Sequence, residues 1–520
     1  MTTATTESTP PTTGCRAYDT LIIKLREAAV LGSVQANVSW DQETMMPPSG
    51  AGLRADQLSA LSGMIHEMVT SEEVGELLGE AEGDAMLRDD ELAQANLREI
   101  RRDYDQRTKL PLELVREIAR TSSLGMDAWK EARKARDFSK FEPWLQKTVD
   151  LSRRKAECLG VPADGEMYDA LLDQFEPGVT TAMTHELFKP LRDFTVDLLA
   201  KLRETTNEFK ELPNADVPGI ETDPVAQKEW CRYVLAAMGF DFAAGRLDEA
   251  AHPFCSGFGP GDTRLTNRYR ADGWLDALSG GMHEGGHGLY EQGLRKSEFF
   301  GSPLGESVSL GVHESQSRMW ENQIGRSRPF WTWCLPIAKK YLGSALDGLE
   351  PEMVFRATNL MMPSFIRVES DELTYNLHIM MRFDFERAML NGDLAVKDLP
   401  SEWNKRVKAD WRLDVPDDAR GCLQDVHWSM GALGYFPTYT FGNIYAAQLW
   451  NTMGEKLPDR EAMIERGEFK PILDWLRTNV HEPGRRYPAR ELIERLTGEP
   501  VTTEHLRRHL AAKANDVFGA

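Results

Sequence analysis

Apolar residues recur every three to four positions, with charged residues between them, along most of the first 210 residues of the chain. This is the period of an amphipathic helix that buries one face. The stretches that follow it most closely are residues 18–40, 54–69, 90–106 and 111–135. A strand-rich fold does not fit this pattern, so the N-terminal part of the chain is predicted to be helical.

Proline and glycine interrupt the helical pattern in "TMMPPSGAG", "CLGVPADGE" and "KELPNADVPG". The last break separates a helical N-terminal half, to about residue 215, from a second half that begins at about residue 216. The opening "MTTATTESTPPTTG" lacks the basic and apolar regions of a secretory signal. We therefore predict a disordered tail over residues 1–17 and a single domain over residues 18–520.

The middle of the chain has a different pattern. Residues 250–274 are rich in glycine, and "TRLTNRY" alternates apolar and polar positions within them. Such alternation predicts a short hairpin or an edge strand. Helical periodicity then resumes to the C-terminus, so the expected fold is mainly α with one small β-sheet.

Composition excludes several classes of function. The net charge of −21 would repel a nucleic-acid backbone, so no nucleic-acid partner is expected. No apolar run reaches the ~20 residues needed to span a bilayer, so no membrane association is expected either. The six cysteines are scattered without a CxxC pair, which is typical of a reducing compartment. We expect a cytoplasmic protein.

One short stretch carries the clearest chemical signal: "GGMHEGGHGLYEQG", residues 280–293. His283 and His287 are four residues apart, so in a helix they lie on one face and can bind one metal ion. Glu284 lies beside them, where it can act as general base towards a metal-activated water. This HExxH spacing is the zinc-peptidase signature. Gly285 and Gly286 each cost a helix about 1 kcal/mol, which suggests that another element or a substrate backbone approaches closely.

A catalytic zinc site needs a third protein ligand as well as an open position. The stretch "SVSLGVHESQSRMWENQIG" offers Glu314, which could return on a neighbouring antiparallel helix; its helical face carries Leu310, Glu314, Ser317 and Glu321. Three other carboxylates compete for the same role, Glu291, Glu298 and Glu306. Spacing alone favours Glu314 only slightly.

Further polar residues cluster in segments of the sequence that are otherwise apolar or rich in glycine. They are His252, Asp262, Arg264, Arg268, Arg367, Asp371, Gln424, Asp425, His427, Tyr435 and Tyr439. Each alone is more often a satisfied buried group or a surface charge than a functional one. Peptide hydrolysis, however, needs donors for an oxyanion, which a histidine or tyrosine supplies, and recognition of a chain end needs a guanidinium for the carboxylate.

Five stretches that contain these residues strongly resemble, in order, the signature blocks of the carboxypeptidase Taq family of zinc metallocarboxypeptidases. They are "HPFCSGFGPGDTRLTNRY", "HEGGHGLYEQG", "HESQSRMWEN", "IRVESDELTYNLHI" and "GCLQDVHWSMGALGYFPTYTFGNIYAAQL". The earlier "SWDQETMMPPSGAGLRADQLSAL" and "MYDALLDQFEPG" are similar to N-terminal blocks of that family. The resemblance covers nearly the whole chain from about Tyr18.

The resemblance implies an elongated helical body with a deep central groove and one divalent metal ion per chain, usually zinc, with cobalt as an alternative. It also implies a homodimer that removes single residues from peptides with a free C-terminal carboxylate, with broad preference. The implied roles fall into three groups. The metal ligands are His283, His287 and Glu314; the catalytic residues are Glu284, His427, Tyr435 and Tyr439; the substrate-binding residues are Arg367, His252 and Arg264.

Two positions depart from the family pattern. Ser370 stands where alanine is usual and Thr263 where valine is usual. Both are small changes, which we expect to alter packing and not activity. Two rival functions remain: a helical metal-containing scaffold without catalysis, against which every central position of the motif is present, and a dipeptidyl or endo-acting zinc peptidase, which only the family blocks oppose.

Overall fold

A computed structural model describes residues 13–250 and 253–520 of the chain. Most of the predicted N-terminal tail and His252 lie outside these ranges. Cys15, within the predicted tail, is only 1% exposed, and the first helix begins at Arg16. The packed part of the chain therefore starts slightly before the predicted boundary.

Helices make up most of the described chain. In the N-terminal half they are α1 (Arg16–Thr44), α2 (Ala51–Val69), α3 (Glu72–Gly83), α4 (Glu91–Thr108), α5 (Leu112–Ala135), α6 (Glu142–Leu159), α7 (Met167–Leu172) and α8 (Thr181–Thr205). The helical segments predicted from periodicity coincide with α1, α2, α4 and α5, except that two of them start at the N-cap residues Asp90 and Pro111. Helix ends follow the sequence: the Asp90 side chain, for example, accepts from the backbone N–H groups of Leu92 and Ala93 and so caps α4.

The second half contains the remaining α-helices. They are α9 (Pro224–Met238), α10 (Trp274–Gly293), α11 (Lys296–Phe299), α12 (Leu310–Arg318), α13 (Arg328–Leu342), α14 (Pro351–Thr358), α15 (Tyr375–Asn391), α16 (Leu399–Trp411), α17 (Pro437–Lys456), α18 (Arg460–Glu465), α19 (Lys470–Leu476), α20 (Ala489–Thr497) and α21 (Glu504–Phe518). Two π-helical segments, Met319–Ile324 and Arg477–His481, directly follow α12 and α19.

Three strands form the one sheet of the described residues: β1 (Gly245–Glu249), β2 (Cys255–Gly259) and β3 (Asp262–Asn267). β3 lies in the middle, parallel to β1 and antiparallel to β2. The β2–β3 pair is the predicted hairpin, and the mainly helical fold with one small sheet is confirmed. Strand β1 was not predicted, because "GRLDE" is short and largely charged and carries no alternating apolar pattern.

The glycines of α10 allow close contacts on several sides of the helix. A Cβ on Gly286 would lie 2.6 Å from both the Gln316 carbonyl oxygen and the Ser317 Cα of α12. On Gly288 it would lie 2.8 Å from the Leu265 side chain of β3. The glycines that weaken this helix locally therefore let α12 and the sheet pack directly against it, which is the close approach expected from the sequence.

Helix α12 is enclosed from the opposite side by α17. A Cβ on Gly442 of α17 would lie 2.6 Å from the Glu314 Cβ and 3.1 Å from its backbone carbon. The first turn of α12 is fixed by the buried carboxyl of Glu176, which accepts from the Gly311 N–H at 2.8 Å and from the Ser309 and Tyr445 hydroxyls at 3.0 Å. Burial raises the pKa of Glu176 to about 7. The position of α12 is thus set on three sides.

Within the described part of the chain, no helix combines the length and apolar character needed to cross a membrane.

Gly286→Ala is expected to lower the free energy of unfolding by about 1–3 kcal/mol, because the added methyl group would overlap the backbone of α12, which no change of side-chain rotamer relieves. The matched control is Gly79→Ala in α3, where an added Cβ meets nothing within 4 Å. That change should be neutral or stabilising by up to ~1 kcal/mol. Denaturant titration of both variants measures the difference, and equal unfolding midpoints would contradict the close packing of α10 and α12.

Candidate metal centre and active site

Three side chains converge where α10 meets α12. The rings of His283 and His287, one turn apart on α10, have centroids 4.9 Å apart. Glu314 of α12 faces both, with its Oε2 3.7 Å from the His283 Nε2 and 3.4 Å from the His287 Nε2. One ligand atom from each residue lies within 4.8 Å of the others. Two imidazoles and a carboxylate in this arrangement suit a divalent metal such as zinc.

The four glutamates that compete from the sequence have different surroundings. Only Glu314 belongs to the three-residue cluster. Glu291 pairs with Lys296 and His313, and Glu298 pairs with Arg295 at the surface. Glu306 lines a cavity together with Arg485. Of the four, the structure therefore brings only Glu314 beside the two histidines.

A carboxylate orients the ring of His283. The His283 Nδ1 lies 2.9 Å from the Glu321 Oε2, in the π-helical segment after α12. Because the carboxylate can only accept, Nδ1 carries the proton and the Nε2 lone pair is directed towards Glu314. Glu321 also accepts from Ser279 at 2.9 Å and from Arg326 at 3.0 Å. Sequence reasoning placed Glu321 on the same helical face as Glu314 but assigned it no role.

The ring of His287 is oriented by a second histidine. Its Nδ1 lies 2.5 Å from the Nδ1 of His313, the residue before Glu314. The other ring nitrogen of His313, Nε2, lies 2.8 Å from the Glu291 Oε1. His313 was not identified from the sequence, although its place beside a candidate ligand was the available signal.

Glu284 lies beside the ligands in a buried position, with 6% of the residue exposed. Burial raises the pKa of Glu284 to about 7; the nearby carboxylates of Glu314 and Glu321 also raise it, and His283 opposes the shift. A carboxyl group with a pKa near neutrality can both accept and return a proton at physiological pH.

Arg318, one turn after Glu314 on α12, was also missed by sequence reasoning. Its Nε donates to the Glu314 Oε1 at 2.6 Å, and its guanidinium lies 4.3 Å from the ring centroid of Tyr375. Burial alone would raise the pKa of Glu314, but Arg318 and His283 hold it well below its usual range. The spacing of four residues within a helix was the signal that could have linked the pair.

Arg367 lies in a buried network next to Arg318. Its Nε donates to the Asp425 Oδ1 at 2.9 Å and its Nη1 to the Tyr375 hydroxyl at 2.8 Å. Asp425 also pairs with the fully buried Arg382. Tyr375 therefore lies between Arg367 and Arg318, so this network borders the three-residue cluster.

His427, Tyr435 and Tyr439 form an aromatic group beside Arg367. The His427 Nε2 lies 3.1 Å from the Tyr439 hydroxyl, and the two tyrosine rings have centroids 5.4 Å apart. Burial and the nearby Arg367 lower the pKa of His427 to about 3, so its imidazole is neutral. Burial and the negative charge of Glu314 raise the pKa of Tyr435 to about 12. The group presents neutral hydrogen-bonding side chains next to the cluster.

Arg264 has a different environment. It pairs with Asp262 at 2.8 Å, and its guanidinium lies 4.9 Å from the Trp40 ring of α1 and 4.4 Å from the Phe258 ring of β2. The side chain is 15% exposed. Arg264 thus connects α1 to the sheet and keeps a small accessible surface, while His252 is outside the described residues.

Comparison with known proteins gives consistent matches along the chain. The profile of the carboxypeptidase Taq (M32) metallopeptidase family matches residues 20–514. A relative named thermostable carboxypeptidase 1, from Thermus thermophilus, is 40% identical over 511 residues, covering 97% of this chain and 99% of the relative. An M32 carboxypeptidase structure from Deinococcus radiodurans matches with a TM-score of 0.92 at 37% identity, covering 97% of this chain and 100% of that one. A Pyrococcus furiosus carboxypeptidase structure matches with a TM-score of 0.91 at 36% identity, covering 96% and 99%.

Asp425→Asn is expected to lower the free energy of unfolding by about 3–5 kcal/mol, because Arg367 and Arg382 lose their shared counter-charge in a buried site. The control is Asp193→Asn, which removes an exposed partner of Lys189 and should cost less than ~1 kcal/mol. Denaturant titration of both variants measures the two losses.

The pH dependence of this difference has a definite sign. Burial alone would raise the pKa of Asp425, but Arg367 and Arg382 hold it well below its usual range. The stabilisation is therefore fully present above the unfolded-state pKa of about 3.9 and is lost only as the pH falls towards the folded-state pKa. The free energies of unfolding of the wild type and Asp425→Asn should differ by the same amount across pH 5 to 8, roughly the range where native proteins are most stable. A difference that disappears in that range would contradict the pairing of Asp425 with Arg367 and Arg382.

Proposed function

Because the chain belongs to the carboxypeptidase Taq (M32) family and is a metallocarboxypeptidase, we propose that it removes single residues from peptide C-termini with broad preference, through Glu284. The observation that carries the proposal is the convergence of His283, His287 and Glu314 beside a buried arginine network. The substrates are peptides with a free C-terminal carboxylate.

The proposed metal is one Zn²⁺ ion per chain, with Co²⁺ as an alternative. Its ligands are His283, His287 and Glu314, whose imidazoles and carboxylate suit either ion. Bound there, the metal would acidify water and polarise the scissile carbonyl.

Glu284 carries the proton in this proposal. It accepts a proton from the attacking water and returns it to the leaving amine, and its pKa of about 7 suits both directions of transfer. Its buried position also limits exchange of that proton with bulk solvent.

His427, Tyr435 and Tyr439 are proposed to stabilise the developing oxyanion or to bind the substrate backbone. The tyrosine hydroxyls can donate because the pKa of each is raised, that of Tyr435 to about 12. Donors held in a buried site need little reorganisation during the reaction, which is the basis of oxyanion stabilisation.

Arg367 is proposed to bind the terminal carboxylate of the substrate, which would restrict cleavage to the chain end. Asp425 and Tyr375 fix the guanidinium in place, so its orientation is set before the substrate arrives. Arg264, at the sheet, and His252 are proposed as further contacts to the substrate.

We also propose that the chain forms a homodimer, as the resemblance to the family implies. Exposed apolar side chains of α1 are consistent with a protein surface that another chain covers: Ile23 is 47%, Val30 50% and Val34 45% exposed.

Glu284→Gln is expected to retain the metal and lose about 10²- to 10⁴-fold in kcat, since the amide cannot accept the proton. His287→Ala should lose both metal and activity, because a ligand is gone. Elemental analysis after dialysis and hydrolysis of an unmodified peptide measure the two properties. Turnover near the wild-type rate by the glutamine variant would refute the assigned role of Glu284.

Arg367→Ala is expected to abolish the preference for free over amidated C-termini, because the guanidinium that recognises the carboxylate is removed. Mass spectrometry of paired unmodified and amidated peptides measures the ratio and shows whether residues leave one at a time. Arg356→Ala, which removes an exposed partner of Glu352, is the matched control and should leave the ratio unchanged. An unaltered ratio for the Arg367 variant would exclude the carboxylate role, and internal cleavage by the wild type would indicate an endopeptidase.

A further inference from the structure

A continuous chain of three polar groups leads away from the proposed metal ligand His287. His287 and Glu291 lie one turn apart on α10, and His313 of α12 lies between them. The His313 Nδ1 is 2.5 Å from the His287 Nδ1, and its Nε2 is 2.8 Å from the Glu291 Oε1. The Lys296 ammonium, at the start of α11, pairs with the Glu291 Oε2.

With His313 as a neutral imidazole, the hydrogen-bonding capacity of these groups permits one assignment of protons. An ammonium only donates and a carboxylate only accepts, so both oxygens of Glu291 act as acceptors. The His313 Nε2 must therefore carry a proton. Two nitrogens 2.5 Å apart cannot both carry one, so one proton lies between the imidazoles of His313 and His287. With the His313 Nε2 protonated, its Nδ1 is the acceptor and the His287 Nδ1 is the donor.

We propose that Lys296, Glu291 and His313 form a positioning relay that presents His287 to the metal with its proton on Nδ1 and its lone pair on Nε2. The inference rests on the metal site of the proposed function and deepens it. The relay residues do not touch the metal or the substrate; they act through the orientation and tautomer of one ligand.

The side chains of the relay are largely buried and are closely surrounded by β2 and Tyr290. The side chains of Lys296 and Glu291 are only 8% and 13% exposed. A Cβ on Gly257 of β2 would lie 2.6 Å from the Glu291 Cδ and 2.7 Å from the Lys296 Nζ, so the strand leaves room for this pair only because that residue is glycine. The Tyr290 ring lies with its centroid 5.1 Å from that of His313 and limits its rotation.

A buried ion pair of this kind is weak evidence for a stabilising role, since desolvation offsets much of its attraction. Glu291 also lies outside the three-residue cluster of His283, His287 and Glu314. Glu291 contacts His313, which in turn contacts His287, so Glu291 can act on the proposed metal site through His313. His283 obtains its acceptor directly from Glu321, whereas His287 obtains one through His313.

The test compares zinc affinity among variants of the full-length chain, by equilibrium competition with a chromophoric chelator. His313→Leu, which removes the acceptor, and Glu291→Gln, which lets an amide donate towards His313, should each weaken zinc binding by about 10- to 100-fold. His313→Asn retains a carbonyl close to the position of Nδ1 and should recover most of the affinity. Glu298→Gln, which alters an exposed glutamate paired with Arg295, should bind zinc as the wild type does.

A spectroscopic measurement separates positioning from a general loss of structure. Nitrogen-15 NMR of the metal-free chain, labelled in its histidine rings, reports which nitrogen of His287 is protonated. We expect the Nδ1–H form in the wild type and a mixture of tautomers in Glu291→Gln, with far-UV circular dichroism unchanged. His287→Gln identifies the signal.

The outcomes distinguish failure of the proposed metal site from failure of the relay. No zinc binding by the wild type would overturn the proposed metal site and the relay with it. Tight binding by the wild type with equal affinity in His313→Leu and Glu291→Gln would overturn the relay alone. An unchanged His287 tautomer in Glu291→Gln would do the same.

Discussion

The site depends on one packing constraint: α12 lies close against α10 on one side and α17 on the other. Glycine makes both approaches possible, since a Cβ on Gly286 or Gly442 would overlap the backbone or the side chain of α12. Because helix packing distances depend on the side chains at the contact, residues without a Cβ bring backbones unusually close. Glu314 consequently reaches the two histidines of α10, and three ligand atoms converge without a flexible loop.

This convergence places several like charges in a buried region, so the rest of the site compensates them. Glu314 and Glu321 share Arg318, and Arg326 also donates to Glu321. Arg367 and Arg382 in turn share Asp425. Each ionised group thus has a partner of opposite charge, which offsets the cost of desolvation. Glu284 lies close to these carboxylates, and burial raises its pKa to about 7, the value that suits it to exchange a proton.

Much of the site could be predicted from the sequence because its parts are local. The HExxH spacing fixes His283 and His287 on one face of any helix, and the alternation in "TRLTNRY" predicts the hairpin. Other residues could not be assigned. Glu321 and His313 lie on the same short stretch as Glu314, yet nothing in the spacing shows which histidine of α10 each one contacts. Lys296 and Tyr375 come from separate segments, and Glu176 reaches the start of α12 from the distant connection between α7 and α8.

The sequence by itself determined the helical class, the small sheet, the placing of His283 and His287 on one helical face and, through ordered blocks of residues, the family. These features follow from periodicity and from spacing within one element, which the chain encodes locally. Only the tertiary structure brought Glu314, of the four glutamates, beside the two histidines and placed His313 between His287 and Glu291. Those choices depend on which helices pack against one another and at what distance, and contacts between segments far apart in the chain have no signature in the spacing of a single sequence.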